Sequence, residues 1–129
     1  MIMRILIISL SLLGGLSALA SDKAPEQKYP DVVDVSVEYQ SGNKYRFAVT
    51  LSSPYDSPER YADAYRIKTL EGEVLGERIL HHHHANEQPF TRRLNGVEVP
   101  EGIDRVVVEG RDQRYGYGGK IQELSIPGR

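Results

Sequence analysis

Val33-Asp34-Val35-Ser36-Val37-Glu38-Tyr39, followed after Gly42-Asn43 by Tyr45-Arg46-Phe47-Ala48-Val49-Thr50-Leu51, is the stretch that decides the fold. Apolar and polar residues alternate with a period of two, the signature of strands with one buried face and one wet face. Gly42-Asn43 supplies two residues that tolerate positive φ, so the two runs read as a hairpin with a two-residue turn.

The same period continues along the chain. Strands are expected over 62–69, with Tyr65 and Ile67 on one face and Arg66 and Lys68 on the other, then over 74–80, 90–99, 105–110 and 121–126. Glu71-Gly72 and Pro100 to Asp104 are turns or loops, and Asn95-Gly96 reads as a bulge or bend inside the fifth strand. A full hairpin at Asn95-Gly96 would instead reverse the parity of every later strand. No stretch carries the i, i+3, i+4, i+7 spacing of an amphipathic helix. The expectation is therefore an all-β, antiparallel, seven-stranded immunoglobulin-like sandwich, with a small barrel as the alternative. With no tryptophan and no cysteine, the chain has no antibody-type core pin, so the likeness is one of architecture.

The N-terminus reads as an export signal. Arg4 precedes an apolar run from Ile5 to Leu13, Gly14-Gly15 breaks it, and Ala18-Leu19-Ala20 offers small residues where a signal peptidase cuts. The run falls short of the roughly 20 apolar residues that span a bilayer, so no stable membrane anchor is expected. No cysteine follows it to accept a lipid there. The expected organisation is a signal peptide over 1–20, a flexible leader over 21–30 and one β-domain over 31–129, periplasmic or secreted.

Composition narrows the partners. Sixteen Lys and Arg stand against 18 Asp and Glu in 129 residues, a formal net charge of -2, which leaves no electrostatic footprint for nucleic acid. With no disulfide available, stability must come from the hydrophobic core.

Strand parity then places a site. If successive strands alternate in direction, the connections 52–61, 81–89 and 111–119 share one end of the sandwich, and the plain turns share the other. The first three gather His81 to His84, Tyr55, Tyr61, Tyr115 and Tyr117, and the carboxylates Asp56, Glu59, Glu87 and Asp112. Loops carried on a rigid scaffold are the usual seat of function, and tyrosine offers contact area with a polar tip. The surface expected to bind comprises Tyr55, Tyr61, Tyr115 and Tyr117, with Arg92 at the start of the fifth strand. In an extended segment His81 and His83 point the same way. Two such imidazoles suit Cu(II), Zn(II) or Ni(II), with Glu87 and Asp112 as further ligands.

The leading expectation is a periplasmic or secreted non-enzymatic binding module for a periplasmic protein or a small ligand. The alternatives are an envelope interaction protein without metal, or a hydrolase with His83, Glu87 and Asp112 in one pocket. No nucleophile elbow, phosphate-cradling loop or HExxH helix supports a catalytic assignment.

Three segments carry a resemblance. Tyr61-Ala62-Asp63-Ala64-Tyr65-Arg66, His81-x-His83 followed by Glu87-Gln88-Pro89-Phe90-Thr91-Arg92, and Asp112 through Gly116-x-Gly118-Gly119 resemble a family of small exported bacterial proteins of uncharacterised function. The resemblance implies a small periplasmic β-sandwich without an assigned activity. Here His82 stands between the paired histidines and Tyr115 precedes Gly116.

Overall fold

The computed structural model describes residues 26–129. The expected signal peptide and the first half of the expected leader lie outside the described residues. Seven strands follow in order: β1 (Asp31–Ser41), β2 (Lys44–Ser52), β3 (Ala62–Thr69), β4 (Val74–Ile79), β5 (Phe90–Glu98), β6 (Arg105–Asp112) and β7 (Gly116–Ser125). They form two antiparallel sheets, one ordered β1-β2-β5 and the other β4-β3-β6-β7, and the described residues contain no helix. No described helix is long and apolar enough to cross a membrane.

The period-two pattern does what alternation requires. Tyr45, Phe47, Val49 and Leu51 of β2 meet Tyr65 and Ile67 of β3 and Val106 and Val108 of β6 in one buried cluster, completed by Phe90, Val97 and Ile126. Each such side chain contributes about 1.5–3 kcal/mol by leaving water, and this cluster stands in for the disulfides the chain lacks. On the far side of the three-stranded sheet the residues are polar. Thr50 and Thr91 share a 2.7 Å hydrogen bond there, and Arg46 bridges Glu38 at 2.9 Å and Asn95 at 2.8 Å.

Two local departures from the sequence reading, and one irregularity it expected, have identifiable causes. Val33 was expected in the buried series of β1, but a bulge sets Val32 opposite Leu51 and Asp34 opposite Thr50. Val33 is the extra residue and stands 45% exposed, while Val32 takes its place inside. Asn95-Gly96 is the expected bulge: Phe47 pairs with Leu94 and Tyr45 with Val97, so both residues oppose Arg46 and the parity of later strands survives. Gly96 sits at φ +67°, and its N–H donates to the Gln40 side chain at 2.7 Å.

The second departure corrects the 111–119 loop. β6 runs on to Asp112 and β7 begins at Gly116, leaving a three-residue turn at 113–115. The glycines read as loop are strand residues because the chain before β1 crosses over them. A methyl at Gly118 would lie 2.6 Å from the Tyr29 ring, and one at Gly110 2.8 Å from Pro30. Residues 26–30 of the expected leader are thus laid against the β6–β7 hairpin. Gln27 binds the Ser52 carbonyl at 3.1 Å, and the Lys120 N–H binds Asp31 at 2.9 Å.

Gly118→Ala should destabilise the domain by about 1–3 kcal/mol through overpacking, measured by urea denaturation. In a Tyr29→Ala background most of that cost should vanish, because the atoms the new methyl strikes are gone. Equal cost in both backgrounds would show that the segment does not press on the hairpin.

Candidate functional site

The three connections meet at one end of the sandwich, and buried polar side chains join them. Asp56, in the β2–β3 connection, accepts from the N–H of Ala62 at 3.0 Å and from the N–H of His84 at 3.0 Å. Gln88, in the β4–β5 connection, answers from the other side. Its Oε1 accepts from the Ser53 N–H at 2.7 Å, and its Nε2 donates to the His84 carbonyl at 3.0 Å and to Ser53 Oγ at 3.2 Å. The Gln113 N–H reaches the Tyr61 carbonyl at 2.9 Å, which ties the β6–β7 turn to the first loop.

At the centre lies Asp112, wholly buried. Its Oδ2 accepts from the N–H groups of Arg114 and Tyr115, both at 2.8 Å, and so folds the turn around itself. Arg60 Nε lies 3.2 Å from Oδ1 and 3.3 Å from Oδ2. The rest of that guanidinium reaches outward to the carbonyls of Gln27 (2.8 Å) and Lys28 (2.9 Å) and to the Glu26 carboxylate (3.3 Å). The rings of Tyr55 and Tyr115 flank it, with centroids 4.1 and 5.0 Å away. One arginine therefore joins the leader, the first loop and the last hairpin.

Electrostatics follow from this packing. Burial alone would raise the Asp112 pKa, but the neighbouring Tyr55 hydroxyl, the Tyr115 and Arg114 N–H groups and Arg60 outweigh it and hold the carboxyl below its ordinary value. The Tyr55 hydroxyl is buried without a well-formed hydrogen bond, and burial, reinforced by Asp112, pushes its pKa up.

The histidine run does not stay extended. His81 and His82 are exposed, His83 is half-buried, and His84 turns inward to stack on Phe90 at 3.8 Å between ring centroids. The rings that approach each other are His82 and His84, at 5.2 Å. His83 Nδ1 accepts the Ala85 N–H at 3.2 Å. Glu87 pairs with Arg92 at 2.9 Å, and this guanidinium holds the Glu87 carboxyl below its ordinary pKa. Of the four residues expected to ligate metal, Glu87 and Asp112 are thus engaged by arginines. Among the described residues, no three His, Asp or Glu side chains form a group that could hold a metal ion. The hydrogen bonds of His83, Glu87 and Asp112 go to these other partners rather than to one another.

The expected contact residues divide. Tyr55 is half-buried against Arg60, and Tyr61 contributes its carbonyl. Tyr115 is 43% exposed beside Tyr29 and Lys28. Tyr117 leaves this end: it lies on the outer face of the four-stranded sheet, with Arg66 3.8 Å over its ring and its hydroxyl bonded to Glu77. Arg92 points to Glu87, while Arg93 is exposed. Sequence reading passed over Arg60 and Tyr29, and named Gln88 only within the resembling 87–92 string. The only signal for Arg60 was a lone arginine in a loop of prolines and carboxylates, and nothing in its spacing marks it.

No protein-family model matches the chain, and no solved structure matches it. A protein of Halomicrobium mukohataei described as "Putative lipoprotein" is 41% identical over 111 residues, covering 83% of this chain and 54% of its own length. The chain spans about half the length of the curated relative it matches.

Two outcomes follow. Asp112→Asn should cost about 3–5 kcal/mol in chemical denaturation, because it strands the Arg60 charge, and a combined Arg60→Leu, Asp112→Leu variant should recover part of that loss. The second concerns His84, whose pKa is lowered by burial and by Arg92, with Asp56 opposing. A depressed value means the unfolded chain binds the proton first, so stability is full above the unfolded histidine pKa of about 6.5 and is lost as pH falls below it. The melting temperature should therefore drop between pH 7 and pH 5, and His84→Phe, which keeps the stack on Phe90, should flatten that drop.

Proposed function

We propose that the chain is an exported, non-enzymatic binding module of the cell envelope, built on an immunoglobulin-like sandwich. Loops 53–61 and 80–89 and the 113–115 turn would present one pre-formed contact surface. The observation that carries this reading is the bracing of the three segments from beneath by Asp56, Gln88 and Asp112. Side chains ordered before contact lose less freedom on binding, which is where a rigid surface gains affinity. Above the braces stand Glu59, His81, His82, Asn86, Arg114 and Tyr115, all exposed. The strand order β1-β2-β5 facing β4-β3-β6-β7 supports the immunoglobulin-like assignment. The relative described as a lipoprotein supports an envelope or secreted location.

The reading needs no metal and no reaction step: Asp112 and Glu87, two of the residues expected to ligate metal, are engaged by Arg60 and Arg92 instead. A photo-crosslinking residue placed at Glu59, Asn86 or Arg114 in the native host should give discrete adducts, and one at Arg93 on the outer sheet face should not. Adducts at Arg93 alone, or none from any of the three loop positions, would contradict the reading.

A further inference from the structure

A concavity of about 450 Å³ opens at the opposite end of the sandwich, lined by Tyr39, Gly42, Asn43, Tyr45, Glu101, Pro127, Gly128 and Arg129. We propose that it binds a neutral saccharide. Its volume falls within the range of ordinary small-ligand sites, and its walls offer an aromatic face beside polar groups.

Tyr39 is the last residue of the inward-facing series of β1, yet it is 56% exposed. Its ring stands at 69° to that of Tyr45, with centroids 5.6 Å apart. An exposed ring held on edge by a buried neighbour is a ready platform for the C–H face of a pyranose, and both phenols add polar tips. Gly42 and Gly128 have no atoms near the position of a Cβ, so these walls stay open.

The charges favour an uncharged ligand. Arg129 is committed to the protein: it donates to the carbonyls of Pro100 (2.5 Å), Ile103 (3.0 Å) and Val99 (2.9 Å) and to Asn43 Oδ1 (2.9 Å). All four hydrogens on its terminal nitrogens are thereby used. It fixes the 127–129 wall, lies 5.4 Å over Tyr45, and has no pair of donors left for a carboxylate or phosphate. Its positive charge also opposes a cationic guest against the tyrosines. Beside Arg129, the Asn43 amide N–H₂, the exposed Glu101 carboxylate and the phenols line the opening. Closely set donors and acceptors beside an aromatic face match the vicinal hydroxyls of a sugar.

This inference is independent of the loop surface at the other end. The test is a titration of the ¹⁵N-labelled domain with two probes, a trisaccharide of N-acetylglucosamine and a trisaccharide of glucose, followed by amide chemical shifts. Saturable shifts are expected for residues 42–43, 101–103 and 128, with a dissociation constant on the order of 1 mM for at least one probe. Tyr39→Ala and Glu101→Gln should each weaken binding about tenfold or more, with the remaining spectrum intact, while Tyr115→Ala should leave it unchanged. Response to one probe only would tell whether the acetamido group is read. Saturation with neither probe at about 50 mM, far above a millimolar constant, or binding indifferent to Tyr39→Ala, would overturn the proposal.

Discussion

The pairing of Arg60 with Asp112 is the constraint on which the loop end depends. A buried carboxylate is costly to desolvate and is tolerated only when its charge and lone pairs are satisfied. Asp112 meets most of that condition: Oδ2 takes two N–H groups of its own turn and the Nε of Arg60, while Oδ1 has the Arg60 charge beside it at 3.2 Å but no well-formed hydrogen bond. Arg60 then has donors to spare, and they fasten Gln27 and Lys28. The pair follows from a need for mutual neutralisation, and the ordering of the neighbouring segments follows from its leftover hydrogen-bonding capacity. Such a pair is poor evidence for net stability, but its geometry specifies how several chain segments meet.

The resembling motifs take on a physical meaning in this light. In Glu87-Gln88-Pro89-Phe90-Thr91-Arg92, Glu87 pairs with Arg92, Gln88 closes the first loop, Phe90 receives His84, and Thr91 bonds Thr50. In Asp112 to Gly119, the aspartate orders the turn and Gly118 admits Tyr29. In this structure these residues tie the segments at the end of the sandwich together.

Strand existence, strand parity and the meeting of three connections at one end were legible because side-chain alternation is a local property of each strand. The Asn95-Gly96 bulge was legible because its flanking arms were too short for a hairpin. Val33 was misplaced because a one-residue bulge swaps the faces of a strand without marking the sequence. The 111–119 segment was misread because its glycines accommodate Tyr29 and Pro30, residues about 90 positions earlier, and no local pattern encodes a contact at that separation. For the same reason Arg60 was silent: its role lies in four polar partners from two distant segments, residues 26–28 and Asp112. The histidine run drew attention by composition, yet the residue that matters to packing is His84, which neighbours alone identify as the inward one.

Native-state hydrogen exchange would show whether Asp112, Asp56 and their partners hold the loop end as one unit. If the loops and the last turn form one braced unit, the amides of Ala62, His84, Gln113, Arg114 and Tyr115 should open together, with a common free energy and a common denaturant dependence. Exchange of the His84 amide with a much lower opening free energy than those of Arg114 and Tyr115 would mean that the segments move separately, and would contradict the account.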